Sequence, residues 1–484
     1  MKTSQFLKLC MLLLFSTACA NRNHTDNAKE NFDIDTTIIE KTTVIDSFSP
    51  GKIIPHVVCK ADATQSYAFY IPAKGKIEAL PVIYLFDPHG DGSLPLGKYK
   101  SLADSYNFIL IGSNNSKNGN DFSMAENIWN ALINDTQKRI KIDKNRIYTC
   151  GFSGGAKVAT YIALKYPFVK GVIASGAGLQ EITNVDDFKF SFTAIAGEGD
   201  MNRSDLITIN NDLDKTQARH RIILFDGIHE WAPESIMNIA FAGFDFDAME
   251  EKMIPVNNTL VNQFIEGSKK RISEFMNKDN LVRAEEECKL SSNLLEGITG
   301  EVYWFKEKAA SIEKEPDYYR QLEKEQDLEA TETKIKEVFM HQFQTGDESY
   351  WVKTIEDVKN RARAKTPEGA MYERLQAYLS LAFYSISNQL ITAGKNPDAA
   401  YIVDLYKKAD PTNSEAWYLS AVLDARKNNA MATKSDLLKA LANGFIDKNR
   451  LLHQPEFQQL GSTINLSEFE NKINKSNAGD KVGK

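Results

Sequence analysis

The chain has 484 residues, 42% of them hydrophobic and 25% charged, with a formal net charge of -7. That length predicts two or three domains, and the composition argues against a disordered or membrane-embedded chain. The acidic balance and the lack of a concentrated Lys/Arg block argue against a nucleic-acid partner.

Lys2 and Lys8 form a basic segment before the apolar run "LCMLLLF" at 9–15, which is too short to span a bilayer. Small residues Ser16, Thr17 and Ala18 lead to Cys19. A cysteine at that place resembles a bacterial lipoprotein lipobox, although Ser16 stands where an apolar residue is common. The expectation is a signal peptide over 1–18, lipid on Cys19 and anchoring to a membrane of the cell envelope, periplasmic or surface-exposed. Plain secretion is the alternative. Residues 19–50 are polar and aperiodic, as a tether would be. Cys59, Cys150 and Cys288 are scattered, without metal spacing or a disulfide framework. Cys150 closes an apolar run and reads as a small core residue.

From about residue 60, short apolar runs recur: "YAFYIP" (67–72), "VIYLFD" (82–87), "FILIGS" (108–113), "RIYTCG" (146–151), "GVIASG" (171–176), "FTAIAG" (192–197) and "RIILFD" (221–226). Continuous apolar character is what a strand buried on both faces of a parallel sheet needs. Helical patterns fall between several of them, including "AENIWNALINDTQKRI" and "AKVATYIALKYP". The alternation predicts a doubly wound, mostly parallel α/β sheet over 51–255.

Beyond that point no further β-run is seen, and 256–484 reads as helical. "SEAWYLSAVLDARKN" and "AMATKSDLLKALANGF" form a helix-pair pattern, and Tyr378-Leu379-Ser380 matches Tyr418-Leu419-Ser420 at an offset of 40 residues. That exceeds the roughly 34-residue tetratricopeptide period, so the segment resembles an irregular tetratricopeptide-like array. A helical bundle without repeats competes with it.

The chemistry centres on "CGFSGGA" around Ser153. "RIYTCG" supplies a strand before the serine and "AKVATYIALKYP" a helix after it, so G-x-S-x-G falls on a strand–turn–helix. A serine there stands at a helix N-terminus, where developing negative charge is favoured. A merely structural serine in a βα turn is the bland alternative. Of seven histidines, only His229 falls in the loop directly after the last strand, in "FDGIHEWAP"; His24 lies in the tether, His56 before the sheet, His89 and His220 at earlier strands, and His341 and His453 in the helical half. In the chain order serine, acid, histidine, Asp200 in "GEGDMN" is the expected acid, with Glu198 and Asp205 as competitors. The Gly154 N–H and the "PHGDG" loop, through Gly90 and Asp91, are the expected oxyanion donors. His89, Trp231 and Asn115 are weaker candidates for the substrate pocket, each with an ordinary packing or loop role as its alternative. Asp87, His89 and Asp91 form only a weak metal pattern, so no metal is expected.

From about 60 to 250 the chain resembles the α/β-hydrolase superfamily. "PHGDG", "GFSGGA" and "GIHEWAP" are similar to bacterial esterases of the feruloyl-esterase and polyhydroxybutyrate-depolymerase-like group. The resemblance implies a serine hydrolase, most nearly a carboxylesterase, with no cofactor and a small ester or peptide as substrate. A serine peptidase on the same fold is the alternative. So is a non-catalytic scaffold whose helical half binds a protein partner.

Overall fold

Eight strands build one sheet: β1 (Ile54–Val58), β2 (Ser66–Tyr70), β3 (Leu80–Phe86), β4 (Ile109–Ser113), β5 (Ile142–Phe152), β6 (Val169–Ser175), β7 (Ser191–Gly197) and β8 (His220–Phe225). The computed structural model describes residues 48–73, 79–178 and 184–479. The expected signal peptide, Cys19 and most of the expected tether lie outside the described residues.

The strands lie in the order β1-β2-β4-β3-β5-β6-β7-β8. β1–β2 and β2–β4 pair antiparallel, and every pairing from β4–β3 to β7–β8 is parallel. β2, β3, β4 and β7 are buried at every position. Alternate residues serve opposite faces: Ile83 and Leu85 enter one core, Val82, Tyr84 and Phe86 the other. Helices α1 (Ser93–Tyr106), α2 (Phe122–Arg139), α3 (Gly154–Lys165), α4 (Arg203–Leu213) and α5 (Glu234–Glu250) connect or follow the strands.

Two expectations need correction at the start of the sheet. His56, expected before it, lies in β1, whose pattern is mostly exposed because it is an edge strand. Such a strand lacks the doubly buried apolar run by which the others were read. Phe48, expected in the tether, packs its ring 4.6 Å from that of Phe69, and the Arg139 guanidinium lies 5.3 Å from the Phe48 ring centroid.

The sheet's helical cover does not stop at 255. Helices α6 (Asn258–Asn277), α7 (Leu281–Leu295) and α8 (Val302–Ile312) carry Val261, Phe264, Ile272, Leu294 and Phe305 into the same core as Ile83 and Phe244. The described chain divides into compact units between Asp327 and Leu328, within α9 (Pro316–Thr345). The texture change near 255 marks the end of strands, not the end of the unit built on them.

The second unit is helical throughout its described residues: α10 (Glu348–Ala362), α11 (Pro367–Thr392), α12 (Asn396–Ala409), α13 (Ser414–Arg426), α14 (Ala430–Ala442), α15 (Lys448–His453), α16 (Pro455–Leu460) and α17 (Leu466–Gly479). α11 packs on α12 and α13 on α14. Leu379 and Leu419, the matched positions, are both buried in the unit's own core.

Candidate active site

β5 ends at Phe152 and α3 begins at Gly154, leaving Ser153 alone in the turn with φ 52° and ψ -123°. A non-glycine residue there stores roughly 1–3 kcal/mol of backbone strain. Two glycines make the turn possible. A Cβ on Gly151 would lie 2.1 Å from the Gly155 carbonyl oxygen, and one on Gly155 would lie 1.9 Å from that of Phe86. Helix and strands can approach this closely only without side chains at those positions. The Ser153 N–H donates to the Ser175 carbonyl at 2.8 Å, tying the turn to β6.

His229 and Asp200 arrive on the loops after β8 and β7. Those loops are stitched together where the Gly199 N–H donates to the Gly227 carbonyl at 2.8 Å. His229 Nε2 lies 3.0 Å from Ser153 Oγ, and its Nδ1 lies 3.0 Å from Asp200 Oδ1. The imidazole packs on Phe152, with ring centroids 4.7 Å apart. Asp200 is only 1% exposed. Its Oδ1 also accepts the Asn202 N–H at 2.9 Å, while the Asn202 amide reaches the Gly176 carbonyl. The two rival acids are elsewhere: Glu198 pairs with Arg203 at 2.9 Å, and Asp205 is in the first turn of α4.

The loop after β3 is organised around Asp87, a buried carboxylate. Its Oδ1 accepts the His89 N–H at 2.8 Å and its Oδ2 the Trp231 indole N–H at 2.8 Å. Burial alone would raise this carboxyl, but the bonds from His89 and Trp231 outweigh it and hold Asp87 below the ordinary carboxylate range. Trp231 is thereby fixed against Tyr99 and Phe152, itself buried rather than open to a ligand. The His89 side chain is 68% exposed, 3.4 Å from Asp87.

The expected oxyanion donors separate. The Gly154 N–H heads α3, where it has no intrahelical acceptor. The Gly90 N–H, by contrast, closes a turn onto the Asp87 carbonyl at 3.1 Å, so it points into its own loop. The Asp91 N–H meets no acceptor among the described residues, while the Asp91 carboxylate takes the Ser93 and Leu94 N–H groups. No group of three His, Cys, Asp or Glu residues among those described could hold a metal ion. Cys59, Cys150 and Cys288 are free and buried.

Asn115 braces its loop instead of opening onto the site: it accepts the Ser66 N–H at 2.8 Å and donates to the Thr64 carbonyl. Asn118, three residues on, comes to the serine turn. A Cβ on Gly154 would lie 1.9 Å from Asn118 Oδ1. Nothing in the string "SNNSKNG" distinguishes Asn118 from its neighbours, because the choice is made by how the loop folds onto β3.

The fold is a doubly wound, mostly parallel α/β sheet with Ser153 on the turn after β5, as the resemblance of the sequence to the α/β-hydrolases implied. Solved structures with related architecture include an S-formylglutathione hydrolase from Agrobacterium tumefaciens, 16% identical, covering 37% of this chain and 88% of that one at a TM-score of 0.31. An esterase from Pyrobaculum calidifontis is 13% identical, covering 41% and 87%, with a TM-score of 0.33. Est1E from Butyrivibrio proteoclasticus is 10% identical, covering 40% and 98%, also at 0.33. No protein-family model matches the chain. No curated protein matches it either.

Proposed function

We propose that this protein is a serine hydrolase that acts on carboxylic esters. The observation that carries the reading is the chain of two 3.0 Å contacts from Ser153 Oγ through His229 to a sealed Asp200. His229 Nε2 takes the hydroxyl proton as Ser153 Oγ attacks the ester carbonyl. The tetrahedral oxyanion is stabilised by the Gly154 N–H at the head of α3. His229 then returns the proton to the leaving alcohol, and water repeats the sequence on the acyl-enzyme. Asp200 holds the imidazole with its Nδ1–H toward the carboxylate and stabilises the imidazolium.

Labelling with a fluorophosphonate, compared between wild type and Ser153→Ala, tests the nucleophile. Loss of labelling in the folded variant supports it, and retained labelling sinks it. Paired p-nitrophenyl acetate and acyl p-nitroanilide substrates then divide esterase from peptidase. The chain's beginning supports a further proposal, a lipid anchor on Cys19. Incorporation of radiolabelled palmitate in a bacterial host, unchanged in Cys19→Ser, would remove it.

A further inference from the structure

The loop between β4 and α2 is more heavily braced than its exposed, polar sequence suggests. Ser113 Oγ accepts the N–H groups of Asn115 and Ser116 at 3.3 and 3.0 Å. Asn114 Oδ1 accepts the Gly92 N–H at 3.2 Å, and the Asn120 amide donates to the Asn115 carbonyl at 3.2 Å. His89 and Lys117 form an antiparallel bridge, and the Asn118 N–H donates to the Pro88 carbonyl at 2.8 Å. These bonds stitch the loop to the one that carries Asp91 and fix where residue 118 emerges.

What emerges is a carboxamide that no described residue engages. Asn114, Asn115 and Asn120 all spend their side chains on loop bonds, whereas the Asn118 amide makes none among the described residues. It is exposed, and it fills the place that a side chain on Gly154 would take, 1.9 Å from that Cβ position. Gly154 and Ser153 are themselves partly open to solvent. An unpartnered amide held by a braced loop, against the residue whose N–H follows the nucleophile, has the properties of a ligand contact. A bracing asparagine would be bonded like its three neighbours.

We propose that Asn118 contacts the substrate and donates Nδ2–H to the carbonyl oxygen as negative charge develops on it, beside the Gly154 N–H. A half-turn about χ2 exchanges the two amide atoms, so either can be presented at this place. The amide already lies against Gly154, with Oδ1 at 1.9 Å and Nδ2 at 3.9 Å from the Cβ position of the residue whose N–H would meet the same oxygen. The proposal rests on the reading of Ser153 as nucleophile. It extends that reading by assigning a side-chain donor from a loop outside the serine turn and the "PHGDG" segment.

The test uses the full chain and a fluorophosphonate, so no natural substrate is needed. Ser153 Oγ attacks phosphorus, fluoride leaves, the hydroxyl proton passes to His229, and the phosphoryl oxygen takes the oxyanion position. Asn118→Ala is expected to lower the maximal labelling rate about 100–1,000-fold while changing the half-saturating probe concentration less than about threefold. Asn118→Asp, of the same shape but without the donor, is expected to be slower than Asn118→Ala. Both should keep the wild-type melting temperature. If labelling depends on Ser153 but runs at the wild-type rate in Asn118→Ala, the Asn118 proposal fails and the nucleophile stands. A folded wild type that is not labelled overturns both. Equal loss in both variants with a lowered melting temperature reassigns Asn118 to bracing.

Discussion

Asp200 Oδ1 lies 3.0 Å from His229 Nδ1 and also accepts the Asn202 N–H, so a single sealed oxygen orients the imidazole and is itself fixed by the chain two residues on. Asp200→Asn keeps the shape and reverses the hydrogen-bond sense, which favours the wrong tautomer of His229. The expected loss in kcat is on the order of 10⁴-fold. Asp205→Asn, half-buried in the first turn of α4, should stay within about threefold of wild type, since His229 Nδ1 already meets Asp200. Steady-state hydrolysis of p-nitrophenyl acetate compares them; a larger loss in Asp205→Asn would move the acid.

Two adjacent glycines in the serine turn should behave differently. Gly155→Ala drives a methyl to within 1.9 Å of the Phe86 carbonyl oxygen, which belongs to a central strand and cannot yield. A loss of about 2–4 kcal/mol is expected, in the upper range for forced overpacking. Gly154→Ala meets only the end of the Asn118 side chain. It should fold with little change in melting temperature, push the amide aside and lower turnover. Thermal melts with parallel rate measurements check the contrast, and equal destabilisation of both variants would show that the Asn118 loop is as rigid as β3.

Trp231 acts through a buried acid. In Trp231→Phe, Asp87 loses the indole donor, and the unpaired buried oxygen should cost about 1–3 kcal/mol. The depressed Asp87 carboxyl favours the folded state above the ordinary carboxylate range, and that contribution is lost as pH falls through its folded value. With one donor gone, burial weighs more and the folded value rises. The acid limb of the melting curve should therefore begin at higher pH in the variant, and coincident acid limbs would remove Trp231 from the stabilisation of Asp87.

How much of this was legible follows from where the signal lies. Ser153, Asp200 and His229 are far apart in sequence, but each stands just beyond an apolar run buried on both faces, so strand order could bring them to one sheet edge. β1 escaped because an edge strand needs no such run, and Phe48 because one aromatic in a polar segment has no period. The extent of the first unit was hidden since α6 to α8 have the same amphipathic texture whether they cover the sheet or join the second unit. Asn118 was invisible for another reason: four asparagines share the loop, and only its fold decides which three are consumed by bracing.

That continuous cover gives a prediction for truncation. Ending the chain at 255 removes Val261, Phe264, Leu294 and Phe305 from the core of the first unit and should give an insoluble product. Ending it at 327 removes only residues assigned to the second unit, which has its own core. That product should be soluble and label at the wild-type rate, consistent with a separate binding role for the helical unit. Loss of labelling in the 327 truncation would instead tie that unit to hydrolysis.

Asp245, on α5, is nearly buried, and burial lifts its carboxyl to about 7, only partly opposed by Arg146 4.0 Å away. A carboxyl raised in the folded state favours folding below its unfolded value near 3.9, and that advantage disappears as pH rises through about 7. Above this window the folded protein holds an ionised carboxylate in an apolar setting. Asp245→Asn removes the charge, so the variant should match wild type near pH 4 and gain on the order of 1–3 kcal/mol over it by pH 8. Chemical denaturation across that range reads the difference directly. A variant less stable than wild type at pH 8 would mean that the ion pair with Arg146 outweighs the burial of its partner.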